Sequence, residues 1–142
     1  MSIDGLSDAA IRDILTTTKR IAMVGASAKA ERPSFGVLRF LLENGYDVTP
    51  VNPGLAGSTI LGRPVVASLA DAAPLEMVDV FRAADQVGPV VAEAIAAGAR
   101  IVWMQLGVVN HEAAAAARAA GLTVVMDRCP AIESARLGLA EH

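Results

Sequence analysis

Short apolar runs rich in β-branched residues alternate with helical patterns along the chain, and this alternation repeats five times. Such a repeat is typical of parallel βαβ units. The predicted strands are residues 21–24, 47–51, 77–81, 100–105 and 122–126. Their almost continuous apolar character is expected when helices cover both faces of a parallel sheet. The pattern therefore predicts a Rossmann-like α/β fold with a doubly wound, five-stranded parallel sheet.

Helical periodicity fills the segments between these strands. Ser7 is expected to cap a first helix whose apolar face carries Ile11, Ile14 and Leu15. Further helices are predicted over 34–44, from 87 to Gly98, from Asn110 to Gly121, and over 132–139. The irregular segment 55–74 reads as a crossover that contains a short helix near 68–72.

The expected strand order is 3-2-1-4-5, in the chain order of the five predicted strands. Right-handed crossovers then bring the loops after strands one to four to the carboxyl edge of the sheet, with a switch point between strands one and four. We expect any ligand to bind at that switch point.

Length and composition exclude several classes of function. A chain of 142 residues fits one domain, residues 1–142, without room for a separate catalytic domain. The net charge of −3 argues against nucleic-acid binding, and the absence of a long apolar stretch argues against a membrane span. No basic, then apolar, leader opens the sequence, so we expect a cytoplasmic protein. The lone Cys129 forms no internal disulfide, and no Cys/His cluster predicts a metal site.

The loop after the first predicted strand has features of a phosphate site. Gly25, Ala26 and Ser27 are small enough for a phosphate to approach the backbone, and the N–H groups of the following helix favour an anion. Lys29 and Arg32 add positive charge. Read alone, the same loop is equally compatible with a tight turn that carries two solvated basic residues, because one glycine is a weak signature.

Two features argue against an ordinary NAD site. In the G-x-G-x-x-G pattern, Ser27 and Ala30 occupy the second and third glycine positions. The second strand ends in Val51-Asn52-Pro53, where an NAD site places an acidic residue on the ribose hydroxyls. A ligand with a pyrophosphate and a phosphorylated ribose suits these neutral and basic surroundings better.

Six short motifs, each at the end of a predicted strand or in the loop after it, then identify a family. They are 24–27 with Arg32-Pro33, 50–53, Leu61-Gly62, 78–82, 103–107, and 127–129 with Glu133 and Arg136. With these motifs the chain resembles the small stand-alone CoA-binding proteins, relatives of the CoA-binding domain of the succinyl-CoA synthetase α-subunit. The resemblance covers nearly the whole chain.

The resemblance implies a role for each matching position. Gly25, Ala26 and Ser27 would cradle the pyrophosphate, and Lys29 and Arg32 would face the phosphates of the adenosine end. Val51, Asn52 and Pro53 would line the adenine and ribose, and Phe81 and Arg82 would border the nucleotide or the start of the pantetheine arm. Gln105, Leu106 and Gly107 lie where that arm could run. Pro33 and Arg128 complete the predicted site.

Several of these residues have a simpler interpretation. Phe81 could be a core aromatic, and Arg82 and Arg128 could be surface charges. Glu133 and Arg136 fit an i, i+3 helix pair that needs no ligand. Cys129 could be a nucleophile whose thiol is activated by Arg128 and by the start of a helix. No histidine is placed in the sequence as its base, so we favour the interpretation that Cys129 is a small residue that fixes a turn.

We therefore expect a CoA-binding or acyl-CoA-binding protein without catalytic activity of its own. Its synthetase relatives need a phosphorylatable histidine and a nucleotide-binding partner that this sequence lacks. The alternative is an NAD(P)-binding redox sensor or small oxidoreductase subunit in which Cys129 or a partner protein supplies the chemistry. A third interpretation is a homodimer that its nucleotide merely stabilises.

Overall fold

The computed structural model of the chain describes residues 3–139. Seven strands share that range: β1 (Arg20–Val24), β2 (Asp47–Val51), β3 (Thr59–Ile60), β4 (Arg63–Pro64), β5 (Met77–Val80), β6 (Ile101–Met104) and β7 (Thr123–Val125). Six α-helices accompany them: α1 (Asp8–Thr17), α2 (Pro33–Glu43), α3 (Leu69–Ala72), α4 (Val87–Ala96), α5 (His111–Ala119) and α6 (Pro130–Arg136). Within residues 3–139 none of the helices has the length and apolar character needed to cross a membrane.

The main sheet confirms the predicted Rossmann-like α/β fold. Five parallel strands lie in the order β2-β1-β5-β6-β7, and β3 and β4 form a separate antiparallel hairpin. Beyond β2, Val66 makes an isolated parallel bridge to Val51. With Val66 counted as the third position, the sheet follows the predicted 3-2-1-4-5 pattern up to β6, and β7 adds a sixth position beyond it.

One detail of the predicted order needs correction. The segment 77–81, taken from the sequence as the third strand, lies beside β1 and therefore holds the fourth position of the pattern. The third position belongs to the crossover around Val66, whose N–H donates to the carbonyl of Pro50 at 3.1 Å. The switch point of the sheet consequently lies between β1 and β5.

Helices cover both faces of the sheet. Helices α1, α2 and α6 pack on one face against Met23, Met77 and Trp103. Helices α3, α4 and α5 pack on the other face against Val78 and Met104. Successive strand residues point to opposite faces, so strands buried on both sides need apolar residues at nearly every position.

The helix boundaries follow local signals. Ser7 Oγ accepts a hydrogen bond from the N–H of Ala10 at 3.1 Å, and Asn110 Oδ1 accepts one from Ala113 at 2.9 Å, so both predicted caps are confirmed. Helices α2 and α6 begin earlier than expected, at Pro33 and Pro130, because proline is well suited to the first position of a helix.

Candidate nucleotide-binding site

The carboxyl ends of β1 and β5 meet at Gly25. Its φ is +85°, and a β-carbon built on it would lie 2.1 Å from the carbonyl oxygen of Phe81. The N–H of Gly25 donates to the carbonyl of Val51 at 3.1 Å, and the N–H of Phe81 donates to that of Val24 at 2.8 Å. Glycine is therefore required both for the backbone conformation and for the close approach of the two strand ends.

The loop from Gly25 to Arg32 is held by its own polar groups. The N–H of Ser27 donates to Ser34 Oγ at 3.1 Å, and the N–H of Lys29 donates to Ser27 Oγ at 3.1 Å. Asn52 Nδ2 donates to the carbonyl of Ala26 at 2.8 Å, which ties the end of β2 to the loop. The N–H groups of Ala26 and Ala28 have no acceptor among residues 3–139.

A pocket of about 360 Å³ lies over this loop, and we call it the basic lobe. It is lined by Gly25, Ala26, Ser27, Lys29, Arg32, Pro33, Ser34, Asn52, Phe81 and Arg82. The side chains of Lys29, Arg32 and Arg82 are exposed. In the described part of the chain none of the three forms an ion pair with a carboxylate.

A second pocket of about 340 Å³ lies on the other side of Gly25, and we call it the apolar lobe. It is lined by Val24, Gly25, Val51, Asn52, Pro53, Ala67, Ser68, Leu69, Arg82, Asp85, Gln86, Pro89, Val90 and Glu93. Gly25, Asn52 and Arg82 line both lobes, so the two pockets form one cleft across the switch point. Open α/β sheets bind ligands in such a crevice.

The structure brings most of the sequence-predicted site residues together in this cleft; the exceptions are Gln105, Gly107 and Arg128. Gln105 is buried, and its Oε1 atom has no hydrogen-bond partner in the described residues. The N–H of Gly107 donates to Asp127 Oδ1 at 2.8 Å in the turn after β6.

Arg128 lies in an ion-pair network and does not line either lobe. Its Nε and Nη2 atoms donate to the two oxygens of Asp4 at 2.8 and 3.0 Å, and its Nη1 donates to Glu133 at 2.6 Å. Arg136 joins Glu133 at 3.0 Å in the i, i+3 arrangement. The Arg128 side chain is only 11% exposed, and hydrogen bonds to Asp4 and Glu133 raise its pKa despite the opposing effect of burial. The network fastens the N-terminal segment to α6.

Phe81 contacts both the core and the basic lobe, whereas Cys129 lies in the core. Phe81 is half-buried against the core beside α1, α2 and α6, and it also lines the basic lobe, so both of its interpretations apply. Cys129 is 7% exposed, precedes α6 as its N-cap residue and belongs to the core. That position fits the residue that fixes a turn.

The sequence missed one wall of the cleft. Ser34 lines the basic lobe, and the apolar lobe adds Ala67, Ser68, Leu69, Asp85, Gln86, Pro89, Val90 and Glu93. The sequence could have predicted Asp85 and Gln86 as site residues, because they follow β5 at the carboxyl edge of the sheet, where ligand contacts are common. Nothing in the pattern of the irregular crossover singled out residues 67–69.

Comparison with known proteins assigns the family. Residues 19–135 match the model of a CoA-binding domain. The chain belongs to this CoA-binding family. It is 39% identical over 124 residues to the uncharacterized protein YneT of Bacillus subtilis strain 168, covering 87% of this chain and 90% of YneT.

Two solved structures share both fold and sequence with the chain. A hypothetical protein from Pyrococcus horikoshii OT3 superposes with a TM-score of 0.92 at 45% identity, over 96% of each chain. Prb, described as the PH1109 protein redesigned for binding, superposes with a TM-score of 0.93 at 44% identity, over 99% of this chain and all of the other. The fold therefore occurs at nearly full length in relatives that share more than 40% of their residues with this chain.

Proposed function

We propose that this protein binds CoA or an acyl-CoA without catalysing a reaction, and that the diphosphate of the ligand lies in the basic lobe. The observation that carries the proposal is the combination of unpaired cations and unpartnered backbone donors at one loop. Lys29, Arg32 and Arg82 line the basic lobe together with Ala26, and the N–H groups of Ala26 and Ala28 in the same loop have no acceptor in the described residues. The first turn of the 11-residue helix α2 adds the positive end of its dipole.

The charges of the cleft favour one orientation of the ligand. Three basic side chains in the basic lobe match a diphosphate and a ribose phosphate. Asp85 and Glu93 in the apolar lobe would repel a phosphate there. Val24, Val51, Leu69 and Val90 offer apolar surface to an aromatic base. The adenine therefore belongs in the apolar lobe and the phosphates in the basic lobe.

The position of Asn52 favours CoA over NAD. Its Nδ2 atom is bonded to the carbonyl of Ala26, and its Oδ1 atom accepts the N–H of Gly54 at 2.8 Å. Asn52 thus fixes the loop and carries no charge with which to hold a ribose diol as an acidic residue does.

The test is a direct comparison of ligands. Thermal unfolding of the purified protein would be followed with CoA, acetyl-CoA, NAD and NADP, and each Kd measured by calorimetry. A ligand present at a hundred times its Kd stabilises the folded state by about 2.7 kcal/mol. We expect CoA and acetyl-CoA to stabilise the protein. Stabilisation by NAD or NADP with no effect of CoA would contradict the proposal.

A matched pair of variants tests the basic lobe. Arg32→Gln should weaken CoA binding by roughly ten- to a hundredfold, because hydrogen bonds to charged groups contribute about 1.5–3 kcal/mol. The loss should shrink as salt is added. Arg118→Gln removes the same charge from the exposed last turn of α5 and should leave the Kd unchanged. Equal affinities for the two variants would exclude Arg32 as a phosphate ligand.

A further inference from the structure

Two buried polar side chains on the same side of the sheet have no hydrogen-bond partner in the described residues. Both carboxyl oxygens of Asp79 and the Oε1 atom of Gln105 are unpartnered. Asp79 is fully buried, and Gln105 is 6% exposed. Buried polar groups are nearly always hydrogen-bonded, so an unpartnered pair requires an explanation.

The strand register brings the two residues close together. Asp79 lies opposite Met23 of β1 and Trp103 of β6. Gln105 follows Trp103 by two residues, so it shares the sheet face of Trp103 and Asp79. Diagonal neighbours on adjacent strands are about 7–8 Å apart, a distance that a long side chain such as glutamine can reach across.

An ionised Asp79 would be costly here, because a charge without partners is strongly disfavoured in an apolar interior. No charged group compensates for the burial, which alone raises the pKa of the Asp79 carboxyl well above its usual value. Trp103 offers no donor, since its Nε1–H is bonded to the carbonyl of Arg128 at 2.7 Å.

The elements that pack on this side hold no free cation for Asp79. Helices α1 and α2 bury only uncharged side chains. Around α6, the buried titratable groups are Cys129, Asp4 and Glu133, and the two carboxylates are bonded to Arg128. These elements therefore supply no positive charge to balance an ionised Asp79, whereas protonation of the carboxyl removes the buried charge itself.

We propose that Asp79 is a neutral carboxylic acid in the folded protein and that it donates its proton to Oε1 of Gln105. The acid proton of Asp79 supplies the donor that the Oε1 atom of Gln105 lacks, and a rotation of the Gln105 side chain completes this hydrogen bond. This acid–amide pair lies between β5 and β6, on the strands that lead to Arg82 and to Leu106. It makes the stability of the fold depend on a single buried proton, independently of the ligand.

The sign of the pH dependence follows directly. Unfolded Asp79 would lose its proton near pH 3.9, whereas the folded state retains it to a higher pH. The folded state then binds more protons, so stability falls as the pH rises between the unfolded and folded pKa values. A single proton corresponds to a change of at most tenfold in the unfolding constant per pH unit.

Urea unfolding from pH 4 to pH 9, followed by the fluorescence of Trp103, tests whether Asp79 is protonated in the folded protein. Trp103 is the one tryptophan of the chain and lies opposite Asp79. Asp79→Asn should match the wild type near pH 4 and become progressively more stable than it at higher pH. Asp13→Asn, which removes an exposed carboxyl from α1, should follow the wild-type profile. Parallel profiles for wild type and Asp79→Asn would overturn the proposal.

Two further measurements address the pair and avoid dependence on one variant. Carboxyl ¹³C shifts of aspartate-labelled wild-type protein should show one protonated aspartic acid at pH 7; an ionised Asp79 would overturn the proposal. A double-mutant cycle of Asp79→Leu and Gln105→Leu at pH 5 should show the double variant to be more stable than the single variants predict, because each single change leaves one buried group unpartnered. Additive effects would remove Gln105 as the acceptor.

Discussion

Replacement of Gly25 by alanine should disrupt the junction of β1 and β5. Alanine at φ +85° carries the strain of a left-handed backbone, about 1–2 kcal/mol. The added methyl group would also lie 2.1 Å from the carbonyl oxygen of Phe81, a backbone atom that cannot move alone. Forced shifts of packed structure cost about 1–3 kcal/mol more. We expect Gly25→Ala to lower the free energy of unfolding by about 2–5 kcal/mol.

Gly45 provides a control for the strain alone. Its φ of +87° is almost the same, but a β-carbon there would meet no atom within 4 Å. Gly45→Ala should therefore lose only about 1–2 kcal/mol. The difference between the two variants isolates the contact with Phe81.

Urea unfolding followed by Trp103 fluorescence gives both free energies, and calorimetry with CoA gives the effect on binding. Because the same junction positions the loop of the basic lobe, we expect Gly25→Ala to lose CoA affinity and Gly45→Ala to keep it. If both variants lost equal stability, the close approach of Phe81 to Gly25 would not constrain the fold, and the reasoning would be refuted.

Three further changes have distinct expected outcomes. Gly36→Ala, within α2 and free of neighbours within 4 Å of its β-carbon, should raise the unfolding free energy by about 0.5–1 kcal/mol in urea titrations; a loss would indicate a hidden contact. Glu76→Gln should cost about 1 kcal/mol at pH 7 and less toward pH 4. The backbone N–H groups of Arg20 and Lys19 lower the pKa of Glu76, so its stabilisation is lost as the pH falls; unfolding curves at pH 7 and pH 4 that show the same cost would contradict this. Arg128→Met removes the guanidinium that pairs with the buried carboxylates of Asp4 and Glu133 and should cost about 3–5 kcal/mol while CoA affinity is unchanged; a weaker Kd in calorimetry would restore a ligand role for Arg128.

The sequence predicted the strands because each is an apolar run between turn residues, and it predicted the loop at Gly25 because small and basic residues cluster there. It misplaced the segment 77–81, since an apolar run does not encode which strand lies beside it. The residue that takes the third position, Val66, contributes a single bridge. One bridged residue leaves no periodic pattern that could predict it.

Arg128 shows a second limit. Its main partner, Asp4, lies 124 residues away along the chain, so no local spacing could reveal that the guanidinium is already bound. By contrast, the i, i+3 pair of Glu133 and Arg136 was readable from helical spacing alone. Position after a strand end identified the residues of the cleft well at β1, β2 and β5 and poorly at β6 and β7.

Asn52 joins the two arguments about ligand identity. In the sequence, Asn52 stands at the end of the second strand, where an NAD site places a carboxylate. In the structure, the same side chain donates an amide N–H to the carbonyl of Ala26, which a carboxylate could not do and would instead repel. An acidic residue here would therefore loosen the loop that carries the free N–H groups of Ala26 and Ala28. In this protein the residue that disfavours the ribose diol also holds in place the loop to which we assign the phosphates.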